Sequence, residues 1–360
     1  MSAARESPLG TPAASPSGPA AGDGVPGLSI AAGLATIYLV WGSTYLAIRI
    51  MVETIPPALG GGVRFIVAGA AMVAWLTATR GAGALRFSRR ELAAAAVVGS
   101  LLCAAGNGLV TVAERDVPSG LAALIVASVP LWVVVFRALS GERVPGRTLV
   151  GVATGFGGVG LLLLPGEPPG GASTLGVLLV VIAAFGWALG TFASARLPTP
   201  RDPLAGVAVQ MLIGGGVLAL AGLLAGEGGR VEPAAFSSDS VLALVYLILV
   251  GSIIAFSAFG WLLRHAPVSL VATYAYVNPV IAVLLGWLVL SEEVTGWTIA
   301  GAAVIVASVA LVLRAPAPPP AQDGRIASDH ARRHRSHGAV SLAGRRPADP
   351  VRPRHDRRGR

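Results

Sequence analysis

The segment PSGLAALIVASVP, residues 118–130, decides the fold. It lies in a run without a charged residue that extends from 117 to 136. A helix needs about 20 residues, at about 1.5 Å each, to cross the hydrocarbon core of a bilayer, so this run is long enough to span it. The segment recurs later in the chain as PVSLVATYAYVNP, residues 267–279. We therefore predict two membrane-spanning helices of similar sequence, one in each part of the chain.

Further uncharged runs divide the rest of the chain between its charged residues. Only 12% of the 360 residues are charged, 54% are hydrophobic and the mean hydropathy is +0.72, so a water-soluble fold could not cover its own surface. The other runs are 30–48, 65–79 (which reaches back to about 59 across Arg64), 92–113, 148–166, 168–195, 203–226, 240–263, 266–291 and 294–313. We expect an all-α membrane protein with ten transmembrane helices.

The recurrence extends beyond the first segment. Downstream, Glu142 and Gly146 correspond to Glu292 and Gly296 at an offset of 150. Three upstream pairs share an offset of 146: Trp41 with Trp187, Arg64 with Gln210, and Gly69 with Gly215. Each half therefore holds five helices, and an odd number gives the second half the opposite orientation in the membrane. Inverted repeats are typical of transporters, whose substrate site lies near the midplane between the halves.

The predicted repeats span residues 30–166 and 167–313, and the two ends of the chain differ from them in composition. Residues 1–29 are rich in Pro, Gly, Ser and Ala, and residues 314–360 are rich in Arg and Pro, so both are predicted to be disordered. The tail 314–360 has a net charge of +8 and the rest of the chain +1. The high pI therefore does not indicate nucleic-acid binding. The tail either adheres to anionic lipid or is a dispensable extension.

Arginines are distributed unevenly between the two sets of loops. One set contains Arg80, Arg86, Arg89, Arg90, Arg137, Arg143, Arg147, Arg196, Arg201 and Arg264, and the other only Arg115 and Arg230. Because cytoplasmic loops carry the excess of positive charge, the first set is predicted to be cytoplasmic, and with ten spans both termini are too. We call the arginine-rich end of the bundle the inner end and the opposite end the outer end.

Motifs in both halves resemble the EamA branch of the drug/metabolite transporter superfamily. They are WGSTYLAIR at 41–49, Pro56-Pro57, GVRF at 62–65, PSGLAALI at 118–125 with Pro130, the turn Gly141-Glu142-Arg143, Trp187-Ala188, Asn278-Pro279 and Gly301. The resemblance covers about residues 30–313. It implies a ten-helix bundle of two EamA repeats in the plasma membrane, which moves small organic solutes and often exports them.

Polar and aromatic residues at the depth of the bilayer are candidates for contact with the substrate. Trp41 and Trp187 lie midway along helices 1 and 6, away from the interfaces where tryptophan is enriched, and are interpreted as walls of a cavity or as packing residues. The other candidates are Thr44, Tyr45, Asn107, Ser128, Thr191, Gln210, Tyr274, Tyr276 and Asn278. Hydrogen bonding between helices is the alternative role for the polar ones.

Two repeat-related prolines, Pro130 and Pro279, are predicted to lie inside helices 4 and 9. A proline inside a helix leaves the carbonyl four residues earlier without its donor. At this depth, such a carbonyl must face protein or a wet cavity. The substrate site is therefore predicted to lie between the two helix breaks, and a dry, curved core is the alternative.

Arg64 is the only charged residue well inside a predicted span, so it should face protein or water. Arg49 and Glu53 are four residues apart and share a face at the outer end of helix 1. The three residues form either a gate or carboxylate-binding site, or a structural ion pair between helices 1 and 2. Because no acid lies at mid-depth, we expect exchange or facilitated diffusion, or antiport through Glu53.

The remaining residues argue against other kinds of protein. Cys103 is the only cysteine and four of the five histidines lie in the tail, so neither a metal site nor a cofactor site nor catalytic residues are predicted. An intramembrane lipid-modifying enzyme is the alternative function, but it would need paired acids, and no predicted span contains one. Gly151 and Gly155 form a GxxxG motif that serves packing within the chain or, alternatively, a homodimer. The expected partners are thus a small-molecule substrate and the lipid bilayer.

Overall fold

The computed structural model describes residues 27–163, 171–198, 200–266, 268–271 and 273–313. These residues form helices joined by short turns, and no strand occurs among them. The predicted all-α class is confirmed. The tail 314–360 and residues 1–26 lie outside the described residues, so the predicted disorder of the two ends is not addressed there. Residues 27–29, which were assigned to the disordered end, already belong to the first helix.

Ten helices follow one another in the described residues. They are α1 Gly27–Met51, α2 Pro57–Arg80, α3 Arg89–Ala113, α4 Ser119–Leu139, α5 Gly146–Leu163, α6 Thr174–Ser194, α7 Pro203–Leu224, α8 Ser238–Leu262, α9 Tyr274–Leu290 and α10 Gly296–Leu313. Seven of them are long and apolar enough to cross a membrane, whereas α5, α9 and α10 are shorter, at 17 or 18 residues. The helices correspond one to one with the ten predicted spans.

Repeat-related helices pack against each other, as expected for two halves related by a pseudo-two-fold axis. The pairs are α2 with α7, α4 with α9, and α5 with α10. Glycines bring the first pair close together, since a Cβ atom added to Gly215 would lie 2.9 Å from the carbonyl oxygen of Gly62. In the third pair, a Cβ atom added to Gly151 would lie 3.0 Å from Val312, and one added to Gly155 would lie 3.2 Å from Ser308. The GxxxG surface is therefore covered by α10 of the same chain.

Each repeat also contains a π-helical stretch in its third helix. In α3 it covers Ser100–Gly108, and in α8 it covers Leu247–Ile254. The two stretches begin 147 residues apart, in keeping with the repeat offset. A π-helical turn displaces side chains around the helix axis and is frequent at functional sites. These stretches were not predicted from the sequence, because the apolar pattern of both segments is that of an ordinary helix.

Helix α4 is interrupted within its span. It consists of Ser119–Val126 and Val129–Leu139. Pro130 therefore lies in the first turn of the second piece, where a missing N–H leaves no bond unmade, and not in the interior of a continuous helix as predicted. Pro279 does lie inside α9. The second half is interrupted earlier, between the short helix Val268–Val271 and the start of α9.

The helices begin in two different ways. Five have an N-cap from their own sequence, given by Ser88, Ser173, Asp202, Ser237 and Thr295. Such a cap stabilises a helix by about 1 kcal/mol. Helices α2 and α4 instead begin after Pro56 and Pro118, which provide no side-chain cap. Their first N–H groups must find partners elsewhere in the fold.

Candidate substrate site

A cavity of about 110 Å³ lies where the two repeats meet. Its walls come from α1, α2, α3 and α4 of the first half and from α6, α8 and α9 of the second. The aromatic and polar lining residues are Trp41, Thr44, Tyr45, Arg64, Asn107, Trp187, Phe256, Tyr274 and Asn278. The other lining residues are aliphatic, glycine or proline, and they include Pro130 and Pro279. Both halves thus contribute to one site, and Arg64 is the only charged residue among those that line it.

Seven of the eleven predicted substrate residues line this cavity. They are Trp41, Thr44, Tyr45, Asn107, Trp187, Tyr274 and Asn278. Trp41 lies at the centre of an aromatic cluster, with ring centroids 5.4 Å from Phe256, 5.2 Å from Phe259 and 5.0 Å from Tyr274. Rings in this geometry stabilise one another beyond their burial, so the cluster gives the cavity a rigid wall. Phe256 was missed because an isolated phenylalanine in a span does not differ from a lipid-facing one.

The other four predicted residues do not line the cavity. Ser128 is buried and its Oγ donates to the carbonyl of Ile125 at 2.7 Å. Thr191 is exposed and its Oγ1 donates to the carbonyl of Trp187 at 2.9 Å. Gln210 lies where α7 crosses α3, and Tyr276 packs against the main core cluster. Direct contact of these four with a substrate in the cavity is therefore not supported by the geometry.

Much of the hydrogen-bonding capacity of the polar lining is used within the protein. Thr44 Oγ1 donates to the carbonyl of Trp41 at 2.7 Å. With its amide oriented so that nitrogen faces the neighbouring carbonyls, Asn278 donates to Tyr38 and Tyr274, each at 3.3 Å. Asn107 makes only a long contact, 3.4 Å from its Nδ2 to the carbonyl of Leu102. The cavity is thus mainly an aromatic and aliphatic pocket with few free polar groups.

Arg64 is buried in the cavity wall, with only 3% of its surface exposed. Its Nε donates to Ser252 Oγ in the π-helical stretch of α8, at 3.1 Å. No ion pair between α1 and α2, the structural alternative for these residues, occurs among the described residues. Arg49 Nη1 instead donates to the carbonyls of Glu114 and Arg115, at 2.8 and 2.9 Å, and Glu53 is exposed without a polar partner among the described residues.

Two acids at the outer end bind the uncapped helix starts. Glu227, from the loop after α7, accepts from the N–H groups of Ala58 and Leu59 at 3.3 and 2.9 Å. Glu292, from the loop after α9, accepts from the N–H groups of Ser119 and Gly120 at 2.7 and 3.0 Å. A carboxylate at a helix N-terminus is stabilised by charge-assisted bonds and by the helix dipole.

Each of these acids belongs to the second half, and each binds a helix of the first half. The two carboxylates therefore tie the halves together at the outer end. Neither acid was predicted as a site residue, since both lie outside the uncharged runs of the sequence. The absence of a cap after Pro56 and Pro118 was the signal that could have revealed their partners.

The comparison with known families settles the class of protein. Residues 28–164 and 174–314 match the EamA-like transporter family, once for each half of the chain. The chain belongs to the EamA family. The predicted transporter of the drug/metabolite type, spanning the membrane several times, is thereby confirmed. The alternative of an intramembrane enzyme is not supported, since the family and its named relatives are transporters.

Individual relatives agree with the family assignment. The chain is 43% identical over 254 residues to the "Uncharacterized inner membrane transporter YedA" of Escherichia coli strain K12, covering 70% of this chain and 80% of the relative. It is 24% identical over 278 residues to the "Probable amino-acid metabolite efflux pump" of the same strain, covering 75% and 90%. A crystal structure of a protein 26% identical in sequence has a similar fold, with a TM-score of 0.54 over 79% of this chain and 96% of that one.

Glu114 is a buried acid at the outer end of helix α3 in this EamA fold. It directly follows α3, is completely buried, and neither carboxylate oxygen has a hydrogen-bond partner in the described residues. Burial raises the pKa of the Glu114 carboxyl well above its usual range, and the nearby Glu292 raises it further, against the lowering effect of Arg49 and Arg64. Burial therefore favours the neutral form of this acid in the state that the structure shows.

Proposed function

We propose that the protein exports a small organic metabolite across the plasma membrane by alternating access at the cavity between its two EamA repeats. The observation that carries the proposal is the lining of that cavity, to which helices of both halves contribute. A site shared by two inverted repeats can be exposed first on one side and then on the other when the halves rock against each other.

Two further observations support export as the direction of transport and a cytoplasmic inner end as the orientation. A relative of this chain is described as an efflux pump for amino-acid metabolites, which favours export. The excess of arginine in the loops of the inner end favours a cytoplasmic inner end, and with ten helices both termini would then be cytoplasmic. The substrate would then enter from the inner end and leave past the outer end, where Glu227 and Glu292 hold the halves together.

Cysteine labelling tests whether the cavity is the wet path. In a Cys103→Ser background, we expect Asn278→Cys to react with a small hydrophilic thiol reagent, because Asn278 lines the cavity. Ser128→Cys is the matched control and should stay inert, since Ser128 is equally buried but does not line the cavity. An unreactive cysteine at 278 would mean that the cavity is dry and that the path lies elsewhere.

Metabolite measurement tests the direction. The gene is expressed in a strain that lacks its own copy, and metabolites inside the cells are compared with those in the medium. Export predicts that a metabolite accumulates in the medium and falls inside the cells. The reverse distribution would show uptake and would contradict the proposed direction. The metabolite found should also protect Asn278→Cys from labelling, which ties transport to the cavity.

A further inference from the structure

The cavity wall contains one cation, the guanidinium of Arg64, that forms no ion pair with any described residue. Nη1 of Arg64 is buried and makes no hydrogen bond with any described residue. The ion pairs among the described residues join other arginines to acids, and none of them includes Arg64. A buried guanidinium without a counter-ion is costly, because the lost hydration is not replaced. The missing partner is therefore expected to come from outside the chain.

Glu114 is the acid nearest in effect to Arg64, but it does not line the cavity. It is completely buried, and its carboxyl group forms no ion pair with Arg64. No acidic residue lines the cavity in the described part of the chain. The cavity thus offers one positive charge and no negative charge to a bound molecule.

The remaining walls define the rest of the ligand. Trp41, Trp187, Tyr45 and Tyr274 line the space, and the amide of Asn278 is occupied by backbone carbonyls. The volume of about 110 Å³ is of the same order as, but below, that of a cavity of about 150 Å³ that accepts benzene, so the bound molecule is limited to roughly one ring. The preferred ligand therefore combines one anionic group with a small apolar or aromatic body.

We infer that Arg64 binds the carboxylate of the transported solute, so that the substrate is a compact organic monoanion. The inference rests on the proposed function and specifies its substrate class. A guanidinium has a planar set of donors that matches a carboxylate, and Nη1 is the donor left free here. A single guanidinium balances one negative charge, so a doubly charged phosphate ester would bring an excess of charge into an apolar site.

A purely structural role for Arg64 makes a different prediction. The bond from Nε to Ser252 joins α2 to α8, and a structural arginine would act through this bond. Ser252→Ala removes the bond and leaves Nη1 in place. Carboxylate binding at Nη1 predicts that Ser252→Ala keeps a preference for anions, whereas a structural role gives the wild-type protein no such preference at all.

The test uses the full-length protein in detergent, with tryptophan fluorescence as the readout, because Trp41 and Trp187 line the cavity. The probes share one ring: benzoate, benzamide, benzylamine and phenyl phosphate. We expect benzoate to bind about tenfold or more tightly than each of the others, as a hydrogen-bonded charge pair implies. Equal affinity for benzoate and benzamide, or no binding of benzoate, would overturn the inference.

Three variants assign the preference to Arg64. Arg64→Gln should remove it, whereas Ser252→Ala and Arg115→Gln, which changes an exposed arginine of the outer end, should retain it. Should Arg64→Gln fail to fold, Arg64→Lys decides: weaker benzoate binding with unchanged benzamide binding supports the inference, and unchanged benzoate binding contradicts it. The labelling of Asn278→Cys remains the separate test of the transport path, so the two proposals can fail independently.

Discussion

The two ends of the helix bundle are held together by different kinds of bond. At the outer end, the carboxylates of Glu227 and Glu292 bind backbone N–H groups that are buried or partly buried. At the inner end, exposed ion pairs join Arg80 to Asp202, and Arg196 to Glu142. Exposed ion pairs contribute between about 0 and 1 kcal/mol, whereas hydrogen bonds to charged groups contribute about 1.5–3 kcal/mol. The outer end is thus the more firmly closed of the two.

The difference is seen most clearly in a pair of repeat-related acids. Glu142 and Glu292 follow α4 and α9 at corresponding positions, yet Glu142 binds Arg137 at 2.7 Å and Glu292 binds the start of α4. At an offset of 149, the position of Arg137 is taken by Gly286 in the second half. A Cβ atom added to Gly286 would overlap the Glu292 carboxylate and lie 2.9 Å from Ser119 Oγ.

One position therefore decides what the acid of each half binds. In the first half, Arg137 forms an ion pair with Glu142 of the following loop. The hydrogen bond from Arg137 holds the pKa of the Glu142 carboxyl below its usual range. A glycine leaves room for Glu292 to reach the other half. Two halves built from one repeat can in this way be joined by different contacts at the two ends of the bundle.

Gly286→Arg should have the largest effect on the stability of the outer end. It gives the outer loop an arginine at the position that Arg137 has in the inner loop. The new side chain displaces Glu292 and competes for its carboxylate. We expect the free energy of unfolding to fall by about 3 kcal/mol, the value of two bonds to a charged group. Thermal melting of the purified protein measures this.

Gly296→Arg serves as the control for Gly286→Arg, since Gly296 is exposed at the outer end and a Cβ atom there meets nothing within 4 Å. The Gly286 variant should also let a membrane-impermeant thiol reagent reach Asn278→Cys from outside. A Gly286→Arg protein that melts and labels like its control would show that Glu292 does not hold the outer end.

Glu292→Gln should have the next largest effect. The amide keeps the shape of the side chain but loses the charge that favours a helix N-terminus, so we expect a loss of about 1 kcal/mol and faster labelling from outside. Glu142→Gln is the matched variant at the repeat-related position and should change neither melting nor outside labelling. Equal effects of the two substitutions would remove the distinction between the ends.

The fold could be predicted from sequence because the signals for it are long and periodic. Ten apolar runs and a repeat at near-constant offset are enough to give the helices and their pairing. The site was predicted less completely, since the hydrogen-bond partner of a single hydroxyl or carboxylate depends on neighbours that are far away in the chain. Ser128 and Thr191 were proposed for their hydroxyl groups, which the structure shows bound to their own helices. Conversely, nothing local distinguishes the buried Glu114 from the exposed Glu53.

The third prediction concerns Glu114 and Glu53, and the coupling of proton binding to the opening of the outer end. The neutral form of Glu114 belongs to the closed state, and opening would hydrate the carboxyl and lower its pKa towards the usual range. The closed state then binds more protons, so raising the pH favours opening. The charged and titratable groups that act on Glu114 are Arg49, Arg64 and Glu292, and Tyr45 lies close enough to be affected by it.

We expect outside labelling of Asn278→Cys to accelerate about tenfold for each pH unit at most, the limit for one proton. Glu114→Gln should keep the outer end closed and reduce the pH dependence to that of the cysteine thiol itself, whose reactivity rises with pH because the thiolate is the reactive form. Glu53→Gln is the control and should leave the pH dependence of labelling unchanged, because Glu53 is exposed. A pH dependence that is lost in Glu53→Gln and kept in Glu114→Gln would instead support antiport through Glu53.

The smallest effect is expected at the inner end, from Arg80→Gln. This change removes the ion pair with Asp202 but leaves the helix cap that Asp202 provides to α7, in which its Oδ1 accepts from Leu204 N–H at 3.0 Å. The side chain of Arg80 is 40% exposed, so the loss of stability should stay below about 1 kcal/mol.

At about 1 M salt, where charges are screened beyond about 3 Å, the melting temperatures of Arg80→Gln and the wild type should converge. The effect of Glu292→Gln should persist at the same salt concentration, because its partly buried bonds are less screened. Salt would thus separate the two ends in one experiment, and an Arg80→Gln effect that survives high salt would show that the inner end is closed as firmly as the outer.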